Sequence, residues 1–357
     1  MRVLQVMAGA EFGGAEVFFV RLVTALHNVG LDQRVVIREH PSRALALQKV
    51  GIDPLELPFG GLADFKTTRV LKKEINTFKP NVVLTWMNRA SNKMPKGDFV
   101  HVGRLGGYYN LKYYKNCRHL IANTEEIRKY IINDGWSEEK THYLPNFVPG
   151  SEAKPFQRTK LYTPDNAPLI VAIGRLHKNK AFDVLLESLS RIQGVYLWIA
   201  GDGPLKKELM AKAEELGVKP RTRFLGWRED VPSLIASGDI FICPSRHEPL
   251  GNVILESWAQ ATPVIAAESL GPKALIKDRE NGILFPVDDA RALAFAIKDL
   301  LKDDQKRSRI ARNGNRTFKK NFAEKKVVAQ YLNFFESITS EFDSGNDEIS
   351  NTDKKKS

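Results

Sequence analysis

Cysteine is almost missing from this chain, with two in 357 residues. Cys117 and Cys243 stand far apart, with no His or Cys at metal-ligand spacing, which leaves no disulfide framework and no zinc signature. Such usage fits a reducing cytoplasm. Uncharged apolar runs of about 18 residues, the length of a membrane span, are also missing. The opening stretch MRVLQVMAGAEFGGAE turns glycine-rich after seven residues and has no cleavable apolar core, so it reads as a first strand rather than a signal peptide. Neither half has a clean G-x-G-x-x-G, which disfavours a dehydrogenase. No helix-turn-helix, zinc-finger or aromatic RNP pattern is found, so nucleic acid is not an expected partner.

The acidic side is the lighter one. Asp and Glu number 42 against 54 Lys and Arg, a formal charge of +12, which favours an anionic partner. Hydrophobic residues (43%) and charged residues (27%) are ordinary for a globular protein, and the length suits two medium domains. Short β-rich runs alternate with longer amphipathic ones: VLQVM, VVIRE, NVVLTW, FVHVG and LIANT, then PLIVAIG, VYLWIAG, TRFLG, DIFICPS, ATPVIAA and NGILFPV. This alternation is the pattern of βαβ units, and its two series predict two Rossmann-like α/β domains, with a ligand cleft between them.

The Pro-rich, aperiodic stretch 146–168 supplies the boundary. The expected domains are therefore 1–150 and 151–317, with a C-terminal helix at about 318–342 packing back on the first domain. Residues 344–357 are polar and charged and read as a disordered tail.

Chemistry concentrates in the second half. In IGRLHKNKAFDVLL, Arg175 and Lys180 follow a strand end, where parallel sheets place ligands, and two cations there suit a diphosphate; a solvated basic loop is the alternative. In RHEPLGNVILE, a helix starting near Pro249 would leave the N–H groups of Gly251 and Asn252 facing outward as an anion site. Glu248 precedes that start and Glu256 lies about 12 Å along, at roughly 1.5 Å per residue. That is too far for a glycosidase pair, whose carboxyls lie about 5 to 9.5 Å apart. Two carboxylates gripping separate hydroxyl-bearing parts of one extended ligand is one reading; a helix-start carboxylate and a surface one is the other.

From about 169 to 300, the segments IGRLHKNKAFDVLLESL, AGDGP, FLGWREDVPSLIASGDIFICPSRHEPLGNVILESWAQATPVIAA and NGILFPVDDARALAFAI resemble the nucleotide-binding half of the GT-B retaining glycosyltransferases of family 4. Glu248 to Glu256 matches the E-x7-E element of that family. The first half matches through GGAE (Gly13 to Glu16) and LIANTEEI (Leu120 to Ile127). The resemblance implies a GT-B fold and donor-diphosphate binding by Arg175, Lys180 and the N–H groups of Gly251 and Asn252. It further implies ribose contact by Glu256, contact with the transferred sugar by Glu248, and a base flanked by Trp227 and Arg228. Gly14 would close over the diphosphate. No metal or cofactor is implied, and Asp288-Asp289 and Asp303-Asp304 read as solvated acid.

The chain departs from the family pattern at several points. Ala181 and Ala261 stand where Gly is frequent, Leu250 where Phe is, and Ala274, beside Lys273, where Glu is. A first-domain catalytic His is replaced by the stretch FVHVGRLGGYYN. There His101 reads as a packed strand residue or a catalytic one, and Arg104 as an alternative occupant. The segment GGYYNLKYYKNCRHL and the amphipathic FKTTRVLKKEINTFK, with Leu71, Ile75 and Phe78 on one side, make an anionic membrane surface a candidate partner. The expected function is transfer of a sugar from a nucleotide-sugar to a cell-surface glycan or lipid-linked acceptor such as lipopolysaccharide core, on the inner face of the cytoplasmic membrane. An epimerase or sucrose-type synthase on the same fold, or a non-catalytic sugar-nucleotide binder, are the alternatives.

Overall fold

The computed structural model describes residues 1–10, 13–60 and 64–353, with side chains described to 342. The chain separates into two compact units, Met1–Asn146 together with Glu324–Ser357, and Phe147–Ala323.

The first unit is built on seven strands, β1 (Arg2–Met7), β2 (Asp32–Arg38), β3 (Leu55–Leu57), β4 (Val82–Trp86), β5 (Val100–Leu105), β6 (His119–Ala122) and β7 (Thr141–Tyr143). They form one parallel sheet in the order β3-β2-β1-β4-β5-β6-β7. The order reverses between β1 and β4, the switch point at which open α/β sheets bind ligands. Five of the seven strands carry the apolar runs expected from the sequence. The three-residue β3 and β7 were too short to show a period.

The second unit uses β8 (Leu169–Ile173), β9 (Tyr196–Ala200), β10 (Thr222–Gly226), β11 (Ile240–Cys243), β12 (Val264–Ala267) and β13 (Ile283–Phe285). The parallel order is β10-β9-β8-β11-β12-β13, with the switch between β8 and β11. Along each central strand alternate residues serve opposite faces. Ile170, Ala172, Leu197 and Ile199 pack into one cluster, and Leu169, Val171, Trp198 and Ala200 into another. Both faces are buried, which is why these strands read as continuous apolar runs.

The last helices differ from expectation. One helix spans Asp304–Asn321, and a second starts afresh at Glu324 and runs to Asp353. Only this second helix belongs with the first unit, where Tyr331 and Phe335 are fully buried. The segment from Ser344 expected as a disordered tail continues the helical backbone to Asp353, and 354–357 lie outside the described residues.

Candidate active site

Charged residues from two loops of the second unit come together at the carboxyl ends of β8 and β11. The loop after β8 makes one short turn, Lys178–Lys180, and enters the helix Phe182–Ser190 through Ala181, which sits in the left-handed region at φ 50°. The loop after β11 carries RHEPLG into the helix Asn252–Ala259, whose cap Gly251 is also left-handed at φ 75°. Glycine is the residue that takes such a φ without a Cβ clash.

Side chains hold the two loops together. Arg246 donates to both carboxylate oxygens of Asp183 (2.9 and 2.6 Å) and to the Lys178 carbonyl (2.8 Å), and pairs with Asp288 at 2.6 Å. The His247 N–H donates to the Asn179 carbonyl at 3.3 Å. Asp288 is thus engaged by Arg246 rather than merely solvated. Its neighbour Asp289 caps the helix Ala290–Lys302 by accepting from Arg291 and Ala292 N–H, and Asp303 caps the next helix through Lys306 N–H.

At the centre of these loops, Lys180 and Glu248 form a salt bridge. Glu248 is 8% exposed, and its carboxylate also accepts from Ser245 Oγ (3.4 Å) and Gly251 N–H (3.3 Å). Burial alone would lower the Lys180 ammonium, but Glu248's charge and hydrogen bond outweigh it and hold the group above its ordinary value. The nearby Cys243 thiol is pushed up to about 11 by burial and by Glu248, so it is an inert packed thiol. The Glu248 carbonyl accepts from Gly271 N–H at 2.7 Å, and a Cβ on Gly271 would come within 2.6 Å of that oxygen. The carboxylate is therefore fixed at both its head and its backbone.

Two sequence expectations change here. The helix begins at Asn252, two residues after Leu250, so Pro249 belongs to the preceding turn. The Gly251 N–H donates to a Glu248 carboxylate oxygen rather than pointing outward. Arg175 is exposed on the loop after β8. The AGDGP turn after β9 packs against that loop, since a Cβ on Gly201 would lie 2.0 Å from the Gly174 carbonyl oxygen. Beyond β10, Trp227 is 78% exposed. Arg228 is not comparably available: its Nε and one terminal nitrogen donate to the two carboxylate oxygens of Asp230 (2.8 and 2.6 Å) and it lies 5.2 Å over the Phe156 ring. Glu256 is half-buried in the second turn of its helix.

Residues 153–317 match the family model for group 1 glycosyl transferases, and residues 12–151 match that for glycosyltransferase family 4. The lipopolysaccharide core biosynthesis glycosyltransferase LpsE of Rhizobium meliloti is 37% identical over 334 residues, covering 90% of this chain and 95% of LpsE. The chain belongs to the group 1 glycosyltransferases. LpsD of the same organism is 34% identical, over 94% of this chain and 98% of LpsD. Among solved structures, a Rickettsia africae glycosyltransferase aligns with TM-score 0.85 at 20% identity over 94% of this chain and 98% of its own. Anabaena HepE in complex with UDP and glucose aligns with TM-score 0.79 at 21% identity over 94% and 100%. The fold is GT-B.

In this glycosyltransferase neither proposed first-unit catalytic residue is placed for chemistry. Arg104 is 1% exposed and stacks on Phe18 and Trp86, with its guanidinium carbon 4.7 and 4.5 Å from the ring centres. Its Nε donates to the Tyr331 hydroxyl (2.8 Å) and a terminal nitrogen donates to Asn146 Oδ1 (2.6 Å). It is a core cation, held by its flat, forked geometry. His101 Nδ1 lies 3.2 Å from the Asn116 carbonyl, which can only accept, so Nδ1 carries the proton and Nε2 faces Thr85 Oγ1 at 3.0 Å. Burial pushes His101 down to about 4, leaving it neutral and packed.

Gly14 is the first residue of the helix Gly14–Asn28. The residue sequence reasoning passed over is Glu16. It is 6% exposed, accepts from Ala10 N–H at 2.9 Å, and fills the space that Cβ atoms on Gly9 and Gly13 would take. The signal was the two glycines themselves, which make room for a carboxylate rather than for a phosphate.

The expected basic-aromatic face is also thinner than its sequence. Leu71, Ile75 and Phe78 are spent on the core of the first unit, and Tyr114 is fully buried. Phe65 (79% exposed) and Tyr108 (45%) remain outside. Among the described residues no helix is long and apolar enough to cross a membrane.

Proposed function

We propose that this glycosyltransferase moves a sugar, with retention, from a nucleoside-diphosphate sugar to a lipopolysaccharide-core acceptor. The observation that carries the reading is the buried Lys180–Glu248 pair held against the cap of the helix Asn252–Ala259. A diphosphate leaving group needs a cation and a helix start, which stabilise the charge that develops as the anomeric bond breaks. Lys180 and Arg175 supply the cations, Asn252 the helix start, and Glu248 a fixed acceptor for hydroxyls of the transferred sugar. Glu256 takes the ribose and the exposed face of Trp227 takes the base. HepE, of the same fold, has been solved with UDP-glucose, and LpsE and LpsD carry the core-biosynthesis name over nearly full length.

The reaction in this reading uses no protein-held metal. Turnover that survives chelation with EDTA supports that, and loss restored by a divalent ion overturns it. The enzyme works in the cytoplasm, with its +12 charge drawing it to the anionic inner surface of the membrane. Co-sedimentation with anionic but not zwitterionic vesicles at low salt tests this, and indifference to both rejects it.

Thermal shift with a panel of nucleotide sugars identifies the donor, since a bound ligand raises the melting midpoint by mass action. Labelled donor and core oligosaccharide then decide the reaction. Label in the oligosaccharide with the anomeric configuration kept supports it. Label in an epimerised nucleotide sugar, or in a sugar phosphate as for the fold-sharing sucrose-phosphate synthase, selects the alternatives.

A further inference from the structure

Lys180 and Glu248 stand 68 residues apart, on the loops after β8 and β11, and their own salt bridge helps to join those loops. In the donor reading that bond is given up. An ammonium that turns to a diphosphate leaves its carboxylate, so the register of the two loops has to be kept by another group.

Arg246 is placed to keep it. Its fork grips both carboxylate oxygens of Asp183, in the first turn of the helix Phe182–Ser190. The same guanidinium donates to the Lys178 carbonyl, two residues before Lys180. Its Nε pairs with Asp288 on the loop after β13. Three loops at the carboxyl edge of one sheet therefore close on a single side chain, itself two residues before Glu248. Beside it the His247 N–H adds a longer bond, 3.3 Å, to the Asn179 carbonyl.

Two features decide what this junction is for. The side chains of Arg246, Asp183 and Asp288 are 31%, 32% and 53% exposed, and ion pairs so open to water add little to stability. Geometry is what a bidentate fork supplies. Two carboxylates also offset the guanidinium's charge, which suits Arg246 poorly to holding a phosphate itself. Burial alone would raise the Asp183 carboxyl, but Arg246's hydrogen bond and charge hold it below its ordinary value, so the grip persists at neutral pH.

We propose that Arg246 is a positioning residue of this glycosyltransferase. It fixes the loop of Lys180 to the loop of Glu248, so that the ammonium stays aimed at the donor diphosphate once it has left the carboxylate. The inference rests on the proposed donor site and adds to it a residue that does not touch the donor.

The experiment uses full-length protein and whichever of UDP, GDP and ADP gives the largest thermal shift, with binding read by isothermal titration and turnover by sugar transfer. Arg246→Ala is expected to weaken nucleotide binding about three- to tenfold and to lower kcat/KM about tenfold or more, the scale of a misplaced catalytic group. Asp183→Asn, which loosens the same grip from its other end, should act in the same direction. Arg246→Lys should recover only part of the loss, because one ammonium cannot replace the fork. The deciding arm is the double variant. If Arg246 acts through Lys180, adding Arg246→Ala to Lys180→Ala should weaken nucleotide binding by less than about twofold more. Losses that add in full mean that Arg246 binds the diphosphate directly, and overturn the proposal. So does an Arg246→Ala protein that melts earlier but, when folded, binds nucleotide and turns over as the parent does. A failure of the donor-site reading shows separately, as a Lys180→Ala single variant with unchanged nucleotide affinity.

Discussion

Both units end parallel strands in loops rich in charge, but they treat that charge differently. Beyond β8 and β11, cations and carboxylates meet in pairs within the loops: the partly exposed Lys180 with the buried Glu248, and Arg246 with Asp183 and Asp288. In the first unit the polar residues of β5 are absorbed into the core. Arg104 lies flat against Phe18 and Trp86, and His101 is held between Thr85 and the Asn116 carbonyl. The difference teaches that residue type and strand-end position do not by themselves mark chemistry. What marks it is whether the group keeps a face that a ligand can reach.

That contrast can be broken most sharply at Glu248. Glu248→Gln is expected to lower transfer by at least about a hundredfold, the scale of losing a preorganised polar contact at the reacting centre. Nucleotide affinity should hold, since Lys180 is released to the diphosphate; isothermal titration with UDP and a transfer assay read the two effects separately. If turnover survives, the second unit's pair is as structural as the first unit's cation.

The counterpart is Arg104→Ala. It is expected to cost about 3–5 kcal/mol, measured by urea unfolding, because it opens a cavity and removes the donor that the buried Tyr331 hydroxyl accepts from. Binding of UDP to the second unit should be unchanged. Near-wild-type stability together with lost turnover would return Arg104 to catalysis.

Lys180→Ala is expected to weaken UDP binding about tenfold, the loss of a single charge-assisted contact. Part of its transfer defect should persist at saturating donor, because the same cation steadies the charge that develops on the leaving diphosphate.

A smaller effect depends on pH. Folding holds His101 at about 4, while in the unfolded chain it protonates near its ordinary 6.5, so protons favour the unfolded state. Stability should therefore fall as pH drops from 6.5 towards 4, by at most about 1.4 kcal/mol per unit from this residue. His119 and His142, also lowered to about 4 by burial, act in the same direction. His101→Gln should flatten the slope in pH-dependent melting; an unchanged slope removes His101 from the core account.

The smallest expected effect is a gain. Ala261 is exposed at φ 52°, where a side chain is strained and no buried contact compensates, so Ala261→Gly should stabilise by about 0.5–1 kcal/mol. Ala181, at φ 50° but fully buried, should gain less, since glycine there also loses methyl packing.

These two alanines show what sequence could and could not supply. Their departure from the family's glycines was visible in the letters; that both occupy the left-handed region needed the backbone. The central strands were legible because both faces are buried and the apolar runs are unbroken, while β3 and β7, at three residues each, gave no period to read. Lys180 and Glu248 were each singled out, but their pairing across 68 residues is a tertiary fact. Arg104 was misleading because burying an arginine requires two aromatic planes and two acceptors brought from four distant segments, which no local pattern encodes.

The interaction between Arg104 and the Tyr331 hydroxyl spans 227 residues, with the entire second unit, Phe147–Ala323, threaded between them. During synthesis the first sheet therefore emerges with a stacked guanidinium that lacks one of its two acceptors until the last helix leaves the ribosome. Contacts closing so long a loop form late, and the incomplete first unit is the part of the nascent chain most exposed to misassembly. A chain ending before Tyr331 should yield a second unit that folds and a first unit that stays protease-sensitive, so the terminal helix acts as the step that completes the enzyme.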